Sequence, residues 1–219
     1  MSVISYALSH QGHFRARNED AYLAQDELGV YVVADGIGSF EDSEWASDIV
    51  VKPFHLSKER CPQFIDRFYR VEQEFIRRHH ILFQESRRQH KTAGATLAAV
   101  VLGQKEVGIV WAGDSRVYLY RPSAHSFTQL TEDHAEGKAI TRAMGVEAQI
   151  ELAKKTISLQ GDEVFLLCTD GLYKKLMQTE IQFILSHFSP AEACSKLIGL
   201  ALERATKDNM TVLICALKT

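Results

Sequence analysis

The chain has 219 residues, 46% of them hydrophobic and 24% charged, which is long enough to bury a sizeable core and ordinary for a soluble globular domain. Its 25 basic residues against 28 acidic ones leave a formal charge of −3, so no polycationic surface argues for a nucleic-acid partner. No apolar run reaches membrane-spanning length and residues 1–6 lack a signal-peptide pattern, which points to a cytoplasmic protein with no membrane partner.

Residues 4–10 are short and partly alternating, a strand pattern, and a dense polar stretch from Gly12 to Asp20 leads into Ala21-Tyr22-Leu23. The loop Asp26-Glu27-Leu28-Gly29 then turns the chain back into an apolar strand over 30–34, making a hairpin. Beyond Gly38 the period changes. Ser43 is placed to cap a helix with Trp45, Ala46, Ile49 and Val50 on one face, ending near Pro53. Pro62 opens a second helix, whose Phe64, Phe68, Val71, Phe75 and Leu82 form one apolar stripe. Its polar side carries Arg77, Arg78, Arg87, Arg88 and Lys91 with His79, His80 and His90. On a long amphipathic helix in an acidic protein a solvated face is expected there, with phosphate binding the alternative, and the histidines, lacking acids at metal-ligand spacing, read as surface residues.

Strands follow over 95–102, 107–112 and 117–120, spaced closely enough for antiparallel hairpins rather than βαβ units. Residues 122–155 are mixed and poorly periodic. Two more strands are expected over 156–159 and 164–169, a helix after Thr179, and another over 190–205 with Cys194, Leu197, Ile198 and Ala201 inward. A final strand covers 210–217. The pattern predicts one α+β domain over residues 1–219, two antiparallel sheets sandwiched between helix pairs. Cys61, Cys168, Cys194 and Cys215 have neither metal nor redox spacing and read as reduced, mostly core thiols.

Four aspartates stand at the edges of apolar runs. Val32-Val33-Ala34 ends in Asp35-Gly36-Ile37-Gly38-Ser39, and residues 164–169 run into Asp170-Gly171. Asp114 follows Ile109-Val110-Trp111-Ala112, and Asp208-Asn209 precedes the last strand. Any one of them reads as a turn former or helix cap, and either Asp-Gly pair as a tight turn. All four together describe sheet ends converging on one acidic centre. Clustered carboxylates repel, and a hard divalent cation such as Mg²⁺ or Mn²⁺ is the usual remedy for all-oxygen ligation.

In order along the chain, Arg15-x-x-Asn18-Glu19-Asp20, Val33-Ala34-Asp35-Gly36-x-Gly38, Thr92-x-Gly94-Ala95-Thr96, Gly113-Asp114-Ser115-Arg116, Leu130-Thr131-x-Asp133-His134, Thr141-Arg142-Ala143-x-Gly145, Thr169-Asp170-Gly171 and Asp208-Asn209-x-Thr211-Val212 resemble the successive motifs of the PP2C (PPM) metal-dependent protein serine/threonine phosphatases. The resemblance implies a four-layer α-β-β-α sandwich and hydrolysis of phosphoserine or phosphothreonine by a hydroxide bridging two Mn²⁺ or Mg²⁺ ions. It implies that Asp35 bridges the metals, that the Gly36 carbonyl ligates one, and that Asp170 and Asp208 ligate the other. Glu19 would reach a metal through water, with Asp20 and Asn209 behind the ligands, Arg15 would hold the phosphate, and Asp114 would ligate a third, weaker ion. Two close cations activate a water without a nucleophilic side chain, and an arginine fork suits phosphate. The implied partner is a phosphoprotein, the target of a cognate Ser/Thr kinase.

Three positions depart from the family pattern. Ile37 stands where some relatives carry a histidine and has no proton to give to a leaving group. Lys174 stands where relatives carry an acid for the third ion; it either substitutes for that ion by pairing with Asp114 or points to solvent. Only six residues separate His134 from Thr141, which implies a shortened flap and a more open cleft. A catalytically weak phosphoprotein-binding module and a small-molecule phosphoesterase are the competing readings.

Overall fold

Alternation along the strands decides the layers. In chain order the elements are β1 (Ser2–His10), β2 (Asp20–Gln25), β3 (Val30–Gly38), α1 (Phe40–Val50), α2 (Phe64–Arg88), β4 (Ala93–Ala95), β5 (Leu97–Leu102), β6 (Glu106–Ala112), β7 (Arg116–Arg121), β8 (Ser126–Gln129), β9 (Ala135–Glu136), β10 (Ala139–Ile140), β11 (Ala153–Ser158), β12 (Val164–Cys168), α3 (Asp170–Tyr173), α4 (Gln178–His187), α5 (Pro190–Glu203) and β13 (Met210–Lys218). The computed structural model describes residues 2–38, 40–59, 61–137 and 139–218, and for residues 40 and 41 the backbone alone. Ser39, which closes the Val32 to Ser39 stretch, lies outside the described residues.

Two antiparallel sheets form, one in the order β1-β13-β12-β7-β8 and the other β11-β6-β5-β3-β2, with β4 paired to the end of β3. On β3, Tyr31 and Val33 point into the space between the sheets, where they meet Val100, Ile109, Val117, Leu119, Phe165, Leu167, Leu213 and Cys215. Their neighbours Val30, Val32 and Ala34 face the other way, onto Ala46, Val50, Phe68, Val71 and Phe75 of α1 and α2. The second sheet repeats the device: Tyr118, Leu166, Val212 and Ile214 face Cys194, Leu197, Ile198 and Ala201 on α5 and Ile181 on α4. Strands buried on both faces account for the near-continuous apolar runs. The result is the expected α-β-β-α order of four layers.

Several local expectations change. α1 begins at Phe40, so Ser43 is an internal, fully buried residue rather than a cap, and its hydroxyl donates to Glu19 Oε1 at 2.7 Å. Two residues read as solvated are core. The Arg78 side chain is 2% exposed, donates to Val50 O at 2.7 Å and lies 4.2 Å over the Phe54 ring, pinning the irregular chain that follows α1. A guanidinium can be buried this way because backbone carbonyls take its protons. His79 is also fully buried, and its Nδ1 accepts from Gly145 N–H at 3.0 Å. All four cysteines are free and buried, as expected. Among the described residues no helix is long and apolar enough to cross a membrane.

Burial pushes the His79 pKa below its ordinary 6.5, and a proton on Nδ1 would break the bond to Gly145. The unfolded chain therefore binds a proton near pH 6.5 that the folded chain refuses, so this contribution is present above that pH and lost below it. In urea unfolding at about pH 7.5 and 5.5, the wild type should lose more stability than His79→Gln over that step. Equal losses would show that His79 does not titrate with folding.

Candidate active site

Glu19, Asp20, Asp35, Gly36, Asp114, Asp170, Asp208 and Asn209 come from five separate segments. The antiparallel register of β2 and β3 sets Asp20 opposite Asp35, and Gly36 N–H donates to Glu19 O at 3.0 Å. Asp35 is fixed by its backbone: its N–H donates to Thr96 Oγ1 at 2.8 Å, its carbonyl accepts from Thr96 N–H at 2.8 Å, and Thr96 Oγ1 lies 2.6 Å from Ser115 Oγ. Asp114 sits on the short connection by which β6 of one sheet becomes β7 of the other. Asp170 opens α3 directly after β12, and Asp208 precedes β13.

Neither Asp-Gly pair makes a tight turn. Gly36 lies within β3, where an added Cβ would stand 2.2 Å from Ser43 O. Gly171 lies within α3, where a Cβ would stand 1.9 Å from Asn209 O. Both glycines permit backbone approach: one brings α1 against β3, the other brings the Asp170 segment against the Asp208-Asn209 segment. Asn209 is the knot of the second junction. Its Oδ1 accepts from Glu19 N–H at 2.9 Å, and its Nδ2 donates to Gln11 O at 2.7 Å and Arg17 O at 2.8 Å, tying the polar N-terminal loop to the last strand.

Three of the acids share one arrangement, each anchored through one oxygen with the other left bare. Asp20 Oδ2 accepts from Thr169 Oγ1 at 2.7 Å, Asp114 Oδ2 from Tyr173 OH at 3.3 Å, and Asp170 Oδ2 from Lys174 Nζ at 2.5 Å. Asp20 Oδ1, Asp114 Oδ1 and Asp170 Oδ1 are buried with no hydrogen-bond partner. Bare buried carboxylate oxygens are costly unless a cation meets them. Burial first, then the charges of Asp20, Asp170, Asp208 and Asp114, drive the Asp35 pKa well above the ordinary carboxylate range. Burial likewise pushes Asp20 up to about 7. This oxygen-only donor set suits hard divalent ions.

Two side-chain cations lie among these acids. Arg15 Nη2 is 2.7 Å from Asp208 Oδ1, and its Nη1 is 3.6 Å from Glu19 Oε2. Lys174 pairs with Asp114 Oδ2 at 3.7 Å, as one of the two sequence readings has it, but its nearer partner is Asp170. Burial opposes the ammonium, yet the Asp170 bond and the charges of Asp170, Asp114 and Asp208 outweigh it and raise the Lys174 pKa. Among the described residues, no group of three or more His, Cys, Asp or Glu side chains is arranged to hold a metal ion. Ile37 follows Gly36 in β3, and the segment between His134 and Thr141 is a hairpin with two residues per strand, β9 and β10. Ser43, Thr96, Ser115, Thr169 and Tyr173 support the acids without any sequence signal of that role, although Thr96, Ser115 and Thr169 stand inside the motifs quoted above.

The α-β-β-α sandwich is the fold of a solved serine/threonine protein phosphatase catalytic domain. The protein phosphatase 2C family profile matches residues 10–202, and the chain belongs to that family. It is 28% identical to the serine/threonine phosphatase Stp of Listeria welshimeri over 93% of this chain and 92% of the relative. To the serine/threonine protein phosphatase PstP of Mycobacterium tuberculosis it is 30% identical, over 97% of this chain and 45% of that longer protein. The solved structure of PppA, a key regulatory component of T6SS in Pseudomonas aeruginosa, is 29% identical and superposes with a TM-score of 0.91, covering 99% of this chain and 98% of that one. The catalytic domain of PstP with two manganese ions is 25% identical, with a TM-score of 0.84 and 99% of both chains covered.

Asn209→Ala removes three hydrogen bonds from a buried junction, and two carbonyls and an amide lose their partner. A stability loss of about 2–4 kcal/mol is expected in urea unfolding. A loss below about 0.5 kcal/mol, typical of an uninvolved surface change, would mean that Asn209 does not hold the loop.

Proposed function

We propose that the protein hydrolyses phosphoserine and phosphothreonine esters on cytoplasmic phosphoproteins, opposing a Ser/Thr kinase. The observation that carries this reading is the set of bare oxygens on Asp20, Asp114 and Asp170 around Asp35, with Arg15 at the same site. Asp35, the Gly36 carbonyl, Asp170 and Asp208 would hold two divalent ions, Mn²⁺ or Mg²⁺, with Glu19 reaching them through water and Asp20 and Asn209 fixing the surroundings. When bound, such ions supply Lewis acidity toward the phosphoryl group and acidify coordinated solvent. The manganese pair in the PstP domain supports this assignment.

The chain's own residues then have separable tasks. Arg15 exchanges its ion pair with Asp208 for the phosphoryl oxygens of the ester, where its planar fork gives charge-assisted bonds. Thr96 and Asn209 hold the backbone of Asp35 and Glu19, keeping the acids in register while their charges are neutralised. Ile37 carries no proton, so the departing serine or threonine oxygen is protonated from solvent. Lys174 serves as a tethered cation for Asp114 and Asp170, in place of a third ion. The binding-module reading loses ground because the acids and Arg15 are all retained in one site.

With a phosphoserine peptide and Mn²⁺, Asp35→Asn should lower kcat/KM by roughly 10²–10³-fold. Arg15→Ala should cost about 1.5–3 kcal/mol of transition-state binding, or roughly 10–150-fold. Mn²⁺ should raise the wild-type Tm by mass action, and Asp35→Asn should lose most of that rise. A folded wild-type protein with no turnover at any Mn²⁺ concentration would overturn the phosphatase reading.

If Lys174 stands in for an ion, Lys174→Asp should change the Mn²⁺ dependence of the rate, adding a requirement at higher metal concentration. An unchanged titration curve would remove that role.

A further inference from the structure

Beside the acidic centre lies a cavity of ≈600 Å³ whose aliphatic wall comes from Ile37, Ile140, Val146 and Ile150. Its place follows from strand register. Gly36 pairs with Ala95, and Ala95 exchanges backbone hydrogen bonds with Met144 at 3.1 and 2.8 Å. One step further along β3, Ile37 pairs with Gly94, and Gly94 lies under Val146, whose Cγ2 would be 2.6 Å from a Cβ there. The wall therefore begins one residue beyond the Gly36 carbonyl. For a polypeptide whose phosphorylated residue sits at Asp35 and Arg15, successive Cα atoms about 3.8 Å apart put the neighbouring side chains within reach of this opening.

The charges around the cavity are unequal. Arg142 also lines the cavity, half-buried and with Nη1 3.2 Å from His134 Nε2, so one cation stands against two acids there. Glu147 and Glu151 are exposed, and neither forms an ion pair among the described residues. Among the described residues, the short β9–β10 hairpin contributes Ile140 to this rim, followed by Thr141, Arg142 and Ala143. We propose that this cavity is a specificity pocket for the phosphoprotein substrate, receiving an aliphatic side chain near the phosphoserine while an adjacent lysine or arginine faces Glu147 and Glu151. The assignment rests on the phosphatase reading above. Aliphatic walls reward a branched side chain through burial, and two carboxylates against one guanidinium favour a cation and repel an acidic sequence.

The test compares phosphoserine peptides carrying leucine and lysine, or serine and glutamate, at positions scanned through three residues on either side, with p-nitrophenyl phosphate as a substrate too small to reach the pocket. With the full chain and Mn²⁺, at least one leucine–lysine placement should exceed its serine–glutamate counterpart by about tenfold or more in kcat/KM, expressed mainly in KM. The double variant Glu147→Lys, Glu151→Lys, at exposed positions without ion pairs, should lose or invert the charge part of that ratio. Ile150→Asn should reduce the aliphatic part. Equal kcat/KM for all peptides, alongside p-nitrophenyl phosphate turnover, would overturn the pocket and leave the phosphatase reading standing. A ratio that neither set of substitutions moves would also overturn it. Absence of turnover on every substrate would overturn the phosphatase reading and the pocket with it.

Discussion

Mutual repulsion among carboxylates is the constraint on which this molecule is built. Asp20, Asp35, Asp114, Asp170 and Asp208 are held at one edge of the sandwich by strands whose apolar faces leave them no freedom to separate. Hydrophobic burial in three successive layers supplies the restoring force, and the acids store part of it as raised proton affinity at Asp35 and Asp20. The two sheets divide the task. β2, β3 and the β6 end bring Asp20, Asp35 and Asp114, while β12 and β13 bring Asp170 and Asp208. The layer between the sheets, with Tyr31, Val33, Phe165 and Leu213 at its centre, sets how far the two groups stand apart. Core packing and site geometry are therefore one problem in this fold.

Much of this was legible in the sequence because strands and acids follow each other without interruption. Each aspartate that ends or precedes an apolar run names both a strand and a residue near its end, so Asp35, Asp114, Asp170 and Asp208 point to one edge from the sequence alone. The limits fall where an element is too short to show a period or where backbone satisfies a side chain. α3 spans four residues, and nothing in Asp170-Gly171-Leu172-Tyr173 has helical periodicity to detect. Arg78 and His79 lie next to the apolar stripe of α2 and read as polar because their partners, the carbonyls of Val50 and Pro53 and the amide of Gly145, belong to the end of α1 and to irregular chain elsewhere. Ser43 fits a cap by composition, but the buried acid it serves, Glu19, is 24 residues away.

The Asp-Gly pairs show how one sequence pattern conceals a different cause. Turn chemistry and close backbone approach both demand glycine, and only coordinates separate them. Here Asp35 stands inside β3 and Asp170 at the start of α3, and the glycine beside each lets a second backbone come near enough to help frame the site. The acid and the glycine are two parts of one requirement, since a carboxylate at a junction is useful only if the junction closes.

Arg15 and Lys174 neutralise the same centre but are attached to it differently, and the difference bears on their roles. Lys174 lies four residues after Asp170, the spacing at which a helical turn stacks side chains, so its ammonium reaches Asp170 with little chain to order. Arg15 sits in the loop between β1 and β2, whose backbone is held by Asn209 at Gln11 and Arg17 and by Gln11 Nε2 donating to Arg15 O at 2.6 Å, and its side chain reaches Asp208 across the site. A cation carried by the same turn as its acid is suited to remain. One carried by a separate loop can exchange its acid for an anionic ligand without disturbing either sheet. The unequal tethering therefore favours Arg15 as the group that meets a phosphate and Lys174 as the group that keeps the acids together.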